Sequence, residues 1–223
     1  MVKKILAAAV LLTAVSLPLG RLGAGELPAC LQLGTAPTVR SAIEAGGVAE
    51  EEVLTRLVYA ESVSTGHADD PAVYEAIAWG VMNRVSLAEA FPSKERIYGR
   101  GISGVIFKPG QFNPAVSKRS RFSKEFLCPS DPARWRMAGQ AARKALAGAG
   151  NPLIETPWEK QHGLSLVVGF YYPDSVQART RLAPWEGSRA LKFIGDVKVG
   201  DAVLSSRKVR FYRLTSAPRD PGR

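Results

Sequence analysis

Apolar positions recur at helical spacing through the first half of the chain and give way to short β-branched and aromatic runs in the second. From about Ala49 to Glu61, the residues Val53, Leu54, Leu57 and Val58 form a stripe on one face, and Glu61 lies one turn beyond on that face. The acidic start Glu50-Glu51-Glu52 complements the positive end of the helix dipole. Ser62 to Asp70 is polar, contains the breaker Gly66 and predicts a loop. Asp69 or Asp70 then caps a second helix whose first position is Pro71. Along it Val73, Ile77, Val81 and Val85 recur every four residues, and Ala76, Ala78, Trp79 and Met82 widen the apolar face. Asn83 and Arg84 are polar groups near the end of this buried helix, suited to tying a neighbouring loop in place by hydrogen bonds.

The rest of the pattern completes a fold class. Thr38 to Ala45 predicts a short helix ended by Gly46-Gly47, after a linker that begins at residue 26. Residues 86–130 are rich in Gly, Pro, Ser and basic side chains and read as irregular. Asp131-Pro132 opens a third helix running through Trp135, Ala138, Ala141, Ala142, Ala145 and Leu146 to Gly148, its small residues fitting close helix packing. Beyond Asn151-Pro152, the runs Leu164 to Tyr172, Ala190 to Val199 and Lys208 to Leu214 predict strands. The expected class is α+β, a mainly helical domain with a small β-rich C-terminal portion.

Composition changes that picture at the termini. Lys3 and Lys4 precede an apolar run from Ile5 to Leu19, and the small residues Gly23, Ala24 and Gly25 follow. Residues 1–25 therefore read as a cleaved secretory signal, with an uncleaved anchor as the lesser alternative. Losing Lys3, Lys4 and Arg21 would lower the formal charge from +10 to +7, a balance suited to an anionic cell wall or membrane surface. Neither zinc-ligand spacing nor an RNP-type motif accompanies the charge, so nucleic acid is not an expected partner. Cys30 and Cys128 both fall in the exported part, where one disulfide is expected. A rival is a lipid on Cys30, because Leu27-Pro28-Ala29-Cys30 loosely resembles a lipoprotein cleavage box.

Glu61 is the candidate for chemistry. An acid at the end of an apolar stripe, preceded by Tyr59-Ala60, is partly desolvated, which raises its pKa and keeps a proton available near neutral pH. Cleavage of a glycosidic bond needs an acid of that kind. Pro109-Gly110 predicts a turn that presents Gln111, Phe112 and Asn113 together. Two amides and a ring suit a sugar, and equally the phenylalanine anchors a loop to the core. With only His67 and His162 present and no Gly-x-Ser-x-Gly elbow, neither a metal, a cofactor nor serine nucleophile chemistry is expected.

Tyr59-Ala60-Glu61, the helix end Met82-Asn83-Arg84-Val85, Gly104-Val-Ile-Phe-x-x-Gly-Gln-Phe112, the alanine-rich helix and Gly169-Phe-Tyr-Tyr-Pro173 follow one another in an order that resembles the SleB-type cell wall hydrolase family. The resemblance spans roughly residues 50–186. It implies a lysozyme-like fold related to lytic transglycosylases over a catalytic domain at 48–186, between an N-terminal segment at 26–47 and a β-rich extension at 187–223. The implied substrate is the bond between N-acetylmuramic acid and N-acetylglucosamine in peptidoglycan glycan strands. Glu61 matches the family's catalytic glutamate, and Gln111 and Phe112 its Gln-Phe pair. Tyr171, Tyr172 and Trp185 fall in its aromatic region as substrate contacts, with Asn83 and Arg84 as support. Where the family continues Glu-Ala-x-Gly-Glu, this chain has Glu61-Ser-Val-Ser-Thr65. Glu61-Ser62 instead resembles the Glu-Ser pair of soluble lytic transglycosylases, which places Ser62 at the substrate. The expectation is an exported, monomeric lytic transglycosylase using one glutamate, with a hydrolytic muramidase or a non-catalytic peptidoglycan-binding protein as alternatives.

Overall fold

Capping chemistry sets where the principal helices begin. In the computed structural model, which describes residues 26–148 and 150–218, Thr38 caps α1 (Val39–Ala45) through reciprocal bonds with Ser41. α2 (Glu50–Ser64) opens on the three glutamates without a side-chain cap. Asp70 caps α3 (Pro71–Ala90), accepting from the Ala72 amide at 3.0 Å. Four short helices follow: α4 (Pro92–Tyr98), α5 (Gly101–Ile106), α6 (Asn113–Val116) and α7 (Ser123–Leu127). Asp131 caps α8 (Pro132–Leu146), and a Thr156/Glu159 capping box opens α9 (Pro157–His162).

Two stretches depart from the sequence pattern. α2 does not stop at Glu61 but carries Ser62, Val63 and Ser64 into its last turn. Tertiary burial overrides the loop preference of serine here, since Ser62 is fully buried, and Thr65 Oγ1 closes the helix by donating to the Ser62 carbonyl at 2.7 Å. Residues 86–130 are largely helical, because Pro92 opens α4, Gly99 at φ 98° ends it and Gly101 opens α5. Helices of four to seven residues are too short for apolar periodicity to show.

The strands are β1 (Val167–Tyr171), β2 (Leu191–Phe193), β3 (Val197–Val199), β4 (Ala202–Leu204) and β5 (Arg210–Leu214). β5 lies between β1 and β2 in an antiparallel sheet, with Gly169 opposite Tyr212, and β3 pairs with β4 in a separate hairpin. The predicted run 190–199 divides where Gly195 adopts φ 80°. The chain is thus a mainly helical α+β protein, about 44% helix with nine helices among the described residues and a small antiparallel sheet near its C-terminal end.

One core joins these parts. α2 and α3 run through its centre, α8 packs along both, and β1 lies on α3. Val197, Val199, Leu204, Val209 and Phe211 belong to the same cluster, so the segment from 187 onward shares the core with the helices. Contact between α3 and β1 is close. A Cβ on Gly80 would come within 2.8 Å of the Phe170 ring.

The N-terminal tail is fastened twice. Cys30 and Cys128 form a disulfide across 98 residues of chain, which occupies the sulfur that a lipid would need. Beside it the fully buried Arg56 donates to the carbonyls of Ala29 and Leu127, each at 2.6 Å, while its Nε bonds Glu52 at 2.8 Å. A disulfide forms and persists in oxidising compartments, such as those that exported proteins enter. The leader expected at residues 1–25 lies outside the described residues. Among the described residues no helix is long and apolar enough to cross a membrane.

Candidate active site

α2 delivers Glu61 from its last full turn into the interior, where the residue is 6% exposed. Among the described residues its carboxyl forms no salt bridge within 4.0 Å. Burial raises its pKa to about 7, against the opposing pull of the Tyr172 hydroxyl and the Arg84 guanidinium. Tyr172 stands just past β1, buried at 9% exposure, and its hydroxyl has no hydrogen-bond partner of ordinary geometry. The hydroxyl interacts with the Glu61 carboxyl, and burial together with that neighbour pushes the phenol well above its usual range.

Arg84 fixes the third side. Its Nε donates to the Val168 carbonyl at 2.6 Å, and Nη1 donates to Gln111 Oε1 at 2.7 Å. The guanidinium stacks 4.7 Å from the Phe112 ring centre and 5.0 Å from that of Phe170. Burial lowers its pKa to about 10, and the charges of Tyr98, Tyr172 and Glu61 act against that. Next to it, Asn83 donates to the Val167 carbonyl at 2.8 Å and accepts from Asn151 at 2.7 Å. Successive polar residues of α3 therefore hold successive carbonyls of β1. They fasten the strand that leads to Tyr172, and Arg84 also ties the neighbouring turn through Gln111.

The predicted site residues separate into two groups. Glu61, Arg84, Gln111, Phe112 and Tyr172 converge, with Phe112 buried at 1% exposure against Phe170 at 5.9 Å. Phe112 is thus the core anchor of its turn, and Gln111 is the polar group that the turn offers to Arg84. Ser62 is fully buried beside Glu61 with its Oγ unpartnered. Tyr171 and Trp185 lie on the opposite face of the sheet, because side chains alternate along a strand. There Tyr171, Trp185 and Tyr212 form edge-to-face pairs at 6.2 and 5.8 Å, and the Tyr171 hydroxyl donates to the Thr180 carbonyl at 2.5 Å.

Two contributors escape a reading of the sequence. Tyr98 lies buried near Arg84 at the end of α4, in the stretch that reads as irregular; only Phe91-Pro92 signals that a helix starts there. Gly80 admits Phe170 against α3, and nothing in the pattern marks that close approach.

Other carboxylates near Glu61 in sequence are engaged elsewhere. Asp69 pairs with Arg134 at 3.0 Å, Asp70 caps α3 and pairs with Lys208 at 2.7 Å, and Glu75 pairs with Lys144 at 2.6 Å. Past Tyr172, His67 Nε2 meets Asp174 Oδ2 at 3.0 Å and joins the loop after α2 to the loop after β1. A cavity of about 530 Å³ opens on that side, and Pro173 and Asp174 form part of its wall. No protein-family model, curated protein or solved structure matches the chain.

Proposed function

We propose that this protein is an exported enzyme that cuts the glycan strands of peptidoglycan, with Glu61 as the acid and then the base. One observation carries the reading: a buried, unpaired carboxyl whose pKa sits near 7, so that protonated and ionised forms are both accessible at neutral pH. The ordered resemblance to SleB-type cell wall hydrolases supports the substrate class and a lysozyme-like catalytic domain at 48–186. The disulfide supports export to an envelope or extracellular space.

In the mechanism, protonated Glu61 gives its proton to the glycosidic oxygen as the bond from that oxygen to C1 of N-acetylmuramic acid breaks. The bonding pair leaves with the oxygen, and the substrate's own N-acetyl group stabilises the cation. Arg84 and Tyr172 favour the carboxylate that remains, through charge and through the hydroxyl beside it. That carboxylate takes the proton of the C6 hydroxyl as the oxygen closes on C1, which yields a 1,6-anhydro ring and restores the acid. The engagement of Asp69, Asp70 and Glu75 in ion pairs with Arg134, Lys208 and Lys144 favours this single-carboxyl route over hydrolysis with a second acid.

The test is digestion of purified sacculi with the mature protein, followed by mass spectrometry of the released muropeptides. Anhydromuramic ends are expected, and Glu61→Gln should lower release by a factor of about 10³ or more, the scale of losing a general acid that also acts as base. Reducing ends alone would reject the transglycosylase route. Release by the Gln variant at the wild-type rate would remove Glu61 from the chemistry.

A further inference from the structure

The cavity of about 530 Å³ beside the candidate site has a charge pattern of its own. Arg181, Arg207 and Arg210 line it together with Ser206, and Asp174 stands at the same wall. Arg210 is committed: it pairs with Glu186 at 3.2 Å, bonds the Tyr212 hydroxyl at 3.0 Å and stacks 4.0 Å from the Phe193 ring centre. Arg181 and Arg207 are exposed and enter no ion pair among the described residues. Arg207 acts on the exposed Asp196 carboxyl from beyond ion-pair distance. With Arg181 it presents two guanidiniums outside any described ion pair to one concavity, a receptor for carboxylate or phosphate, because the planar fork binds either group through paired N–H donors.

Resting on the peptidoglycan reading above, we infer that this cleft holds the peptide stem carried by the N-acetylmuramic acid next to the scissile bond. Its position fits. Tyr172 faces Glu61, and the next two residues, Pro173 and Asp174, already belong to the cleft wall. A stem of four or five residues extends roughly 13–17 Å, against the two residues of chain, at most about 7 Å, that lead from Tyr172 to Asp174. The charge pattern also distinguishes a peptide from a polyphosphate. Stems carry free carboxylates together with an amino group, and the cleft offers arginines with one carboxylate. Asp174 uses only Oδ2 on His67, which leaves Oδ1 to accept from an ammonium.

Two measurements with Arg181→Ala/Arg207→Ala test the assignment. Both positions are exposed, so the variant keeps the fold, and neither belongs to the Glu61 site. The first measurement compares cleavage of stem-bearing glycan with that of the same glycan stripped of its stems by an amidase. The wild type should cleave stem-bearing strands about tenfold faster, the equivalent of one charge-assisted bond, and the variant should lose that preference while cleaving stripped strands as before. Equal wild-type rates on both substrates, or equal losses by the variant on both, would overturn the inference. The second measurement titrates the soluble tetrapeptide stem into the wild type and the variant by NMR, with inorganic phosphate and short polyphosphate as parallel probes. Stem binding that vanishes in the variant supports the inference even if the protein proves catalytically inert, which separates its failure from that of the functional reading. Phosphate or polyphosphate binding as tightly as the stem, with the same dependence on the two arginines, would overturn it.

Discussion

Glu61 and Glu159 are both enclosed carboxyl groups, yet their pKa values move in opposite directions. Burial alone would raise Glu159, but it accepts from the amides of Glu155, Thr156 and Leu166 and pairs with Arg213 at 3.1 Å, and these partners bring its pKa below the usual value. Glu61 has no such set of donors, so burial prevails and its pKa rises from 4.5 to about 7. The difference separates a structural carboxylate from one poised to give up a proton. It also has a thermodynamic consequence. Between pH 4.5 and about 7 the folded protein retains a proton that the unfolded chain has released, so this group's contribution is full below 4.5 and is lost as pH rises toward 7. Glu61→Gln lacks the titration. Its stability relative to wild type should grow from near zero at acidic pH to a plateau above neutrality, on the order of 3 kcal/mol. Urea unfolding of both proteins at several pH values checks this, and a difference that stays constant with pH would mean that the Glu61 pKa is not raised.

At the scale of elements, the site depends on how closely β1 is pressed onto α3. Asn83 and Arg84 hold two β1 carbonyls, and Gly80 leaves room for Phe170, whose ring supports the Arg84 guanidinium. Gly80→Ala would gain about 1 kcal/mol in helix propensity, but its Cβ would sit 2.8 Å from a ring with little room to retreat. Overpacking of this kind costs about 1–3 kcal/mol, so a net loss of stability is expected, partly recovered when Phe170→Leu is added. Thermal unfolding of the single and double variants measures it, and a Gly80→Ala protein as stable as wild type would show that strand and helix are not so tightly joined. The sequence discloses such contacts unevenly. The stripes of α2, α3 and α8 and the helix starts at Pro71 and at Asp131-Pro132 are legible because they follow helical periodicity and local hydrogen-bond chemistry. Glu61 is legible for the same reason, as the continuation of a stripe. Hidden from view are Tyr98 on a helix of seven residues, the extension of α2 through buried serines and the fully buried Arg56. Each depends on partners distant in sequence, which no local pattern encodes. The two tyrosines after Phe170 diverge only once the strand is placed, since alternation sends Tyr172 to Glu61 and Tyr171 to Trp185.

For the molecule as a whole, the tail at residues 26–31 is held by two kinds of fastening that fail under different conditions. The disulfide closes 98 residues of chain, a span containing α1 to α7 and Glu61 itself. On chain-entropy grounds a loop of that length removes about 4–5 kcal/mol of freedom from the unfolded state. Arg56 supplies the second fastening, with its bonds to the Ala29 and Leu127 carbonyls, and Leu31 N adds a bond to Leu127 O at 2.9 Å. These bonds act in the folded state and persist when the sulfurs are reduced. The tail therefore stays docked in Cys30→Ser/Cys128→Ser, and the loss falls mainly on the unfolded side of the equilibrium. The double variant should lose about 2–5 kcal/mol while keeping its fold and whatever glycan-cleaving rate the oxidised protein has at low temperature. Denaturant unfolding with and without reductant provides the comparison. The wild type should fall to the variant's midpoint when reduced, and the variant should not respond. Equal midpoints for oxidised wild type and variant would show that the tail is secured by Arg56 and packing alone.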